Sequence, residues 1–212
     1  MYQCAKCAQR GCTRRDLTKT LPECPSKDEA LQQQAAALYE EEENHRIAYE
    51  AALVEVEGYG RDPRLVEIMH FLRRCGYEKV GLAFCTGLFR EAREVTNILE
   101  YNGFTVCSVI CKNGAFPKRI LGVSDEQCLG GSCDEDVMCN PIGQALFLNR
   151  EGTQCNIILG LCVGHDTLFI KHSQAPVTVL AVKDRVTGHN PLASIYNAQS
   201  YYKKTYYPPK ED

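Results

Sequence analysis

Thirteen cysteines in 212 residues are the side chains of this sequence best equipped for chemistry, because a thiolate is both a soft metal ligand and a nucleophile. Four of them fall early, in the order Cys4-x2-Cys7-x4-Cys12 followed by Cys24-Pro25. Two sulfurs separated by two residues can face one ion, and the backbone turn between them can donate N–H groups to sulfur. Zinc and a cubane iron-sulfur cluster both accept four cysteines, and the Cys-Pro ending leans toward the cluster. The remainder of residues 1–27 carries basic residues, two prolines and almost no apolar periodicity, so metal binding must substitute for a hydrophobic core.

A second set is scattered. Cys85, Cys111 and Cys162 each follow a short apolar run, and Cys139 directly precedes an expected helix. In an open parallel sheet such positions share one edge, where ligands bind near a topological switch point, and adjacent strands stand only about 4.8 Å apart. Convergence of these four sulfurs would make a second metal site. Helix N-termini near Cys139 and Cys162 favour thiolate over thiol. His165 and Asp166 beside Cys162, with His189 in the phrase Gly188-His189-Asn190, are the candidate acid-base groups or hydrogen-bond partners of a cluster sulfur or substrate; helix capping by Asp166 and Asn190 is the competing role. Lys183, Asp184 and Arg185 are expected on the same edge. Cys128 and Cys133 lie in a long loop, as a redox pair, a cap ligand or neither, while Cys75, Cys107 and Cys155 fit apolar patterns and are assigned to the core. Glu42-x-x-His45 has a spacing used by di-iron bundles, but no second copy accompanies it.

Helical spacing of Leu31, Ala35, Leu38, His45, Tyr49, Ala52 and Val56 predicts one long amphipathic helix from Asp28 to about Val56. Asp62-Pro63 opens another, with Leu65, Ile68, Met69 and Leu72 inward and Gly76 as stop. From Lys79 short apolar runs alternate with helical stretches. Strands are predicted from Val80 to Phe84, Phe104 to Ile110, Asn156 to Leu161 and Val177 to Val182. Helices are predicted from Phe89 to Tyr101, from Asn140-Pro141 to about Asn149, and after Gly164-His165-Asp166. The loop from Lys112 to Met138 is far longer than typical connections and is expected to be functional or partly mobile. Tyr196, Tyr201, Tyr202, Tyr206 and Tyr207 are expected to pack their rings on the body of the protein. The fold class is α/β: an open, mostly parallel Rossmann-like sheet flanked by helices over 77–212, preceded by a cysteine-rich metal-binding module over 1–27 and a helical linker over 28–76.

A net charge of -3, from 24 basic and 27 acidic residues, gives no footprint for a nucleic-acid partner. No apolar run approaches the roughly 20 residues of a membrane span, and the start lacks signal-peptide regions. These features point to a cytoplasmic protein in a reducing compartment, where dense cysteine usage means metal binding or redox catalysis.

The phrases Val80-Gly-Leu-Ala-Phe-Cys85-Thr-Gly-Leu88, Cys139-Asn-Pro-Ile142, Gly160-Leu-Cys-Val-Gly-His-Asp166 and Lys183-Asp-Arg-Val-Thr-Gly-His-Asn-Pro191, with the N-terminal cysteines, resemble a domain-of-unknown-function family of cysteine-rich, predicted metal-binding proteins of anaerobic prokaryotes. The resemblance implies two four-cysteine sites, at Cys4, Cys7, Cys12 and Cys24 and at Cys85, Cys111, Cys139 and Cys162. It implies no reaction, and no nucleotide fingerprint or serine triad is present. The expectation is an iron-sulfur protein with one or two clusters, of the 4Fe-4S type, in which the N-terminal site passes electrons to, or supports, a core site acting on a small-molecule substrate, with a redox partner protein. The alternatives are a structural zinc site on a non-catalytic metal or sulfur carrier, and a thiol-disulfide redox protein using Cys128 and Cys133.

Overall fold

The computed structural model describes residues 1–209 and divides between Arg61 and Asp62 into two units. In the first, residues 1–27 form four short 3-10 turns, at Cys4–Lys6, Gly11–Arg14, Leu17–Lys19 and Pro25–Lys27. Gly11 and Thr20 are the two buried residues of this stretch, so no apolar core holds it. Gly11 is required: a β-carbon there would stand 2.4 Å from the Asp16 carbonyl oxygen.

Asp28 starts α1 (Glu29–Leu38) by accepting the Leu31 N–H at 3.1 Å. The single long helix expected from Asp28 is broken, and α2 runs over Glu42–Gly58. Two local forces explain the break. Glu40 to Glu43 crowd four carboxylates into one turn, and the Asn44 side chain donates to the Leu38 carbonyl at 3.0 Å and to Glu41 at 2.9 Å, replacing helical bonds.

The second unit opens with α3 (Arg64–Arg74), whose Ile68, Met69 and Leu72 enter the core rather than a linker surface. Then follow β1 (Lys79–Phe84), α4 (Phe89–Tyr101), β2 (Thr105–Ile110), α5 (Pro141–Glu151), β3 (Cys155–Leu159), α6 (His165–His172) and β4 (Val177–Ala181). All pairings are parallel, in the order β2-β1-β3-β4, so the chain builds outward from β1 on one side and then on the other. The topological switch point lies between β1 and β3.

Alternation along the strands divides the core into two layers. Val80, Leu82 and Phe84 join Ile157, Leu159, Leu72 and Leu99 under α3 and α4. Ala83 and Cys85 join Ile158, Ala145, Leu148 and Phe169 under α5 and α6. Cys75 and Cys155 are buried in the first layer, and half-buried Cys107 packs against the second. The long loop is bound down by a Pro117–Val137 bridge, by Lys118–Asp136 and Arg119–Asp134 ion pairs, and by a disulfide between Cys128 and Cys133.

After β4 come the short helices α7 (Leu192–Tyr196) and α8 (Lys203–Tyr206). The rings of Tyr201, Tyr202 and Tyr206 pack on one another, and Tyr196, Tyr201 and Tyr207 are exposed rather than packed on the body. The tail closes on itself through the Ser194 and Tyr206 hydroxyls, 2.6 Å apart.

Gly81 faces Asn156 across the β1–β3 pair, and a β-carbon there would lie 1.9 Å from Asn156 Oδ1 and 2.8 Å from Leu148. Buried Asn156 is itself fixed, accepting from Thr153 and donating to Ser173, each at 2.8 Å. Gly81→Ala is therefore expected to destabilise by about 3 kcal/mol, lowering Tm by roughly 10 °C in a thermal melt.

Candidate metal centre

Cys85 and Cys111 are placed by backbone pairing that continues just past their strands. Cys111 N–H donates to the Phe84 carbonyl at 2.9 Å and Cys85 N–H to the Leu159 carbonyl at 3.2 Å, extending the β2-β1-β3 ladder by one step. Cys139 is 28 residues beyond Cys111 in sequence, yet Asn140 N–H donates to the Cys111 carbonyl at 2.7 Å. The Asn140 and Asn113 side-chain amides are paired at 3.0 Å, and Asn140 Oδ1 caps α5 by accepting from Gly143 N–H at 2.9 Å. One asparagine thus starts α5 and ties it to the end of β2. Beneath them Gln144, fully buried, donates to the Phe84 carbonyl at 3.2 Å and the Val109 carbonyl at 2.6 Å, clamping the ends of β1 and β2 together.

The three thiols so placed interact in sequence. Cys111, with burial, pushes the Cys85 thiol far above its ordinary range. Cys139 in turn raises Cys111, while a hydrogen bond from Cys111 lowers Cys139 to about 7 against burial, helped by Lys112. Proton sharing along the row makes Cys139 the first to ionise. Thr86 N–H donates to Cys111 Sγ at 3.3 Å. Cys162, in the turn after β3, lies within electrostatic reach of Cys139, and its sulfur accepts from Arg185 Nη2 at 3.2 Å. The sequence-predicted set Cys85, Cys111, Cys139 and Cys162 is therefore gathered at one rim, at the switch point. Among the described residues no three His, Cys, Asp or Glu side chains stand ready to hold a single metal ion.

A family model described as a protein of unknown function, DUF1847, matches residues 24–180. The chain belongs to the DUF1847 family. The matched span takes in Cys24 and all four rim cysteines, and begins after Cys4, Cys7 and Cys12. An uncharacterized protein of Methanocaldococcus jannaschii is 39% identical over 203 residues, covering 95% of this chain and 96% of that protein. Among solved structures, Dph2 from Pyrococcus horikoshii with a 4Fe-4S cluster aligns over 68% of this chain and 33% of its own at 18% identity, TM-score 0.35. A second Dph2 structure from the same organism covers 47% of this chain and 22% of its own at 21% identity, TM-score 0.30.

In the DUF1847 chain His165 begins α6 one turn from Cys162, whose carbonyl accepts from His165 N–H at 2.9 Å and Asp166 N–H at 3.1 Å. Burial holds the His165 imidazole below its usual value against the opposing pull of Cys85 and Asp166, with Lys112 and Lys118 adding to the lowering, so the neutral form is favoured at pH 7. Asp166 accepts from Thr167 N–H at 2.7 Å in the first turn of the helix. His189, at a φ of 68°, exchanges bonds with Asp184: its Nδ1 accepts from Asp184 N–H at 3.1 Å while its own N–H donates to the Asp184 carbonyl at 2.8 Å. This clasp shapes the loop that carries Arg185.

In the first unit, Cys4, Cys7 and Cys24 line one cavity of about 440 Å³ with Glu23 and Pro25, whereas Cys12 does not line it. Backbone and side-chain hydrogen bonding from Ser26 lowers the Cys24 thiol. Cys128 and Cys133 are joined and are 7% and 0% exposed, which suits a loop staple better than exchange with solutes. Sequence reasoning missed Asn113, Asn140 as a tie between elements, Gln144, and Arg185 as an N–H donor to the Cys162 sulfur. The Asn-Pro phrase signalled a helix start only.

Two outcomes follow. Asn140→Ala removes the α5 cap and the tie to Asn113 and is expected to cost about 2 kcal/mol in chemical denaturation. In metal-free protein under reducing, anaerobic conditions, Cys139 should be thiolate above pH 7 and thiol below. Its alkylation rate, read by mass spectrometry over a pH series, should reach half its maximum near pH 7, with Cys85 unreactive across that range.

Proposed function

We propose that this DUF1847 chain is an iron-sulfur protein whose working centre is held by Cys85, Cys111, Cys139 and Cys162 and serves redox or cluster-based chemistry on a small substrate. The observation that carries the reading is the gathering of four sulfurs from distant stretches of chain at the carboxyl ends of β1, β2 and β3, where open α/β sheets take their ligands. The donor set fits such a group. All four atoms are thiol sulfurs, N–H donors from Thr86 and Arg185 point at two of them, and Lys183 and Arg185 supply positive charge to offset bound thiolates.

A donor set of four thiols, with no histidine or carboxylate among them, suits a cubane, which takes its ligands as thiolates. When bound, it would supply one-electron chemistry. Around it, the chain's own residues exclude water with the apolar layer under α5 and α6, orient the sulfurs through the Asn140 and Gln144 bonds, and offer His165 as a neutral proton acceptor beside Cys162.

The N-terminal cysteines favour a second reading for their own segment. Cys4 and Cys7 flank a single 3-10 turn and share a cavity with Cys24, a compact arrangement that suits a structural zinc as well as a second cluster.

Anaerobic purification with iron, sulfide and zinc analysis and a visible spectrum tests both. Protein as isolated should be brown, with about four iron and four sulfide per occupied site. Cys85→Ser with Cys111→Ser should remove the iron of the rim site while any N-terminal metal stays. Colourless protein carrying only zinc would sink the cluster reading.

A further inference from the structure

Past β4, the chain turns back over the rim. Lys183 N–H donates to the Leu161 carbonyl at 3.2 Å, holding this segment beside the turn that carries Cys162. The loop is then fixed by two devices. Asp184 Oδ1 accepts the Val186 and Thr187 N–H groups at 2.9 and 3.0 Å, and Asp184 and His189 exchange two further bonds across the loop mouth. Arg185 sits inside this pinned turn, so its backbone is set before its side chain reaches out.

That side chain is exposed, yet it is committed to Cys162 Sγ at 3.2 Å. The three thiols of Cys85, Cys111 and Cys139 partner one another; Cys162 takes its partner from Arg185 instead. The guanidinium also lies within electrostatic reach of Cys85 and Cys139. The Lys183 ammonium stands over Gly87, 3.0 Å from where a β-carbon would be, on the Cys85 side of the same rim.

Resting on the cluster reading above, we infer that Arg185, presented by the Asp184–His189 clasp, sets the reduction potential of the rim centre through its N–H bond to the Cys162 sulfur. The physical reason is differential stabilisation. One electron entering the centre makes its sulfurs more negative, so a fixed N–H donor and positive charge at sulfur stabilise the reduced state more than the oxidised one and raise the potential. Arg185 is a positioning residue in this role; it holds a ligand atom and charge and need not touch substrate. A guanidinium suits the task because it remains protonated across the working pH range and its planar fork is pre-organised.

The test is a redox titration of anaerobically reconstituted full-length protein with dithionite as the one-electron donor, followed by visible absorbance and electron paramagnetic resonance. Iron and sulfide content are measured on each sample. Arg185→Ala should keep its iron and sulfide and show a midpoint moved to more negative potential. Arg185→Lys, which keeps the charge and loses the fork, should show a smaller shift of the same sign. Lys171→Ala, in the last turn of α6, serves as the control and should leave the midpoint in place. A midpoint unchanged in Arg185→Ala with full loading overturns the role of Arg185 and leaves the cluster reading standing. If Arg185→Ala loads no cluster, Arg185→Lys decides, and a wild-type midpoint there overturns the inference. Wild-type protein that takes up no cluster ends the underlying reading itself.

Discussion

Parallel pairing of β1 with β2 on one side and β3 on the other puts three carboxyl strand ends in one row, and a parallel sheet cannot do otherwise. A residue one step past each strand lands on that row whatever the distance in sequence. Cys85 and Cys111 are such residues, and Cys162 follows a short turn after β3. The same geometry opens the crevice between β1 and β3, because the crossovers leave it in opposite directions. Every other feature of the rim refines a position that this pairing has already chosen.

Refinement is done by amides. Asn140 spends its backbone N–H on Cys111, its oxygen on the first turn of α5 and its amide nitrogen on Asn113, so helix start and strand end share one residue. Gln144 repeats the idea one turn further along, with Nε2 shared between the carbonyls of Phe84 and Val109. The amide nitrogen of this sealed glutamine makes both of its bonds, while its buried Oε1 has no hydrogen-bond partner among the described residues. The consequence is rigidity at the rim that carries Cys85, Cys111 and Cys139.

The two units solve the stability problem by opposite means. The sheet unit buries two apolar layers and needs no ligand to explain its order. The first 27 residues bury only a glycine and a threonine, and four cysteines are their main resource. No helix among the described residues is long and apolar enough to cross a membrane.

Local pattern alone determined the strands, the helix over Phe89–Tyr101, the parallel α/β class and the candidacy of the rim cysteines, because alternation, helical spacing and Gly or Pro stops are properties of neighbours in sequence. Pattern failed where a side chain competes with the backbone or where partners are distant. The break at Tyr39–Glu41 turns on Asn44 reaching back to Leu38, and the tyrosine tail turns on rings that chose one another over the sheet. Tertiary structure decided which thiols are neighbours, that Cys111 lowers the Cys139 thiol, that His189 is engaged with Asp184, and that Arg185 rather than another rim thiol is bonded to Cys162. Those outcomes depend on burial, dielectric and distances between atoms far apart along the chain, and no stretch of sequence contains them.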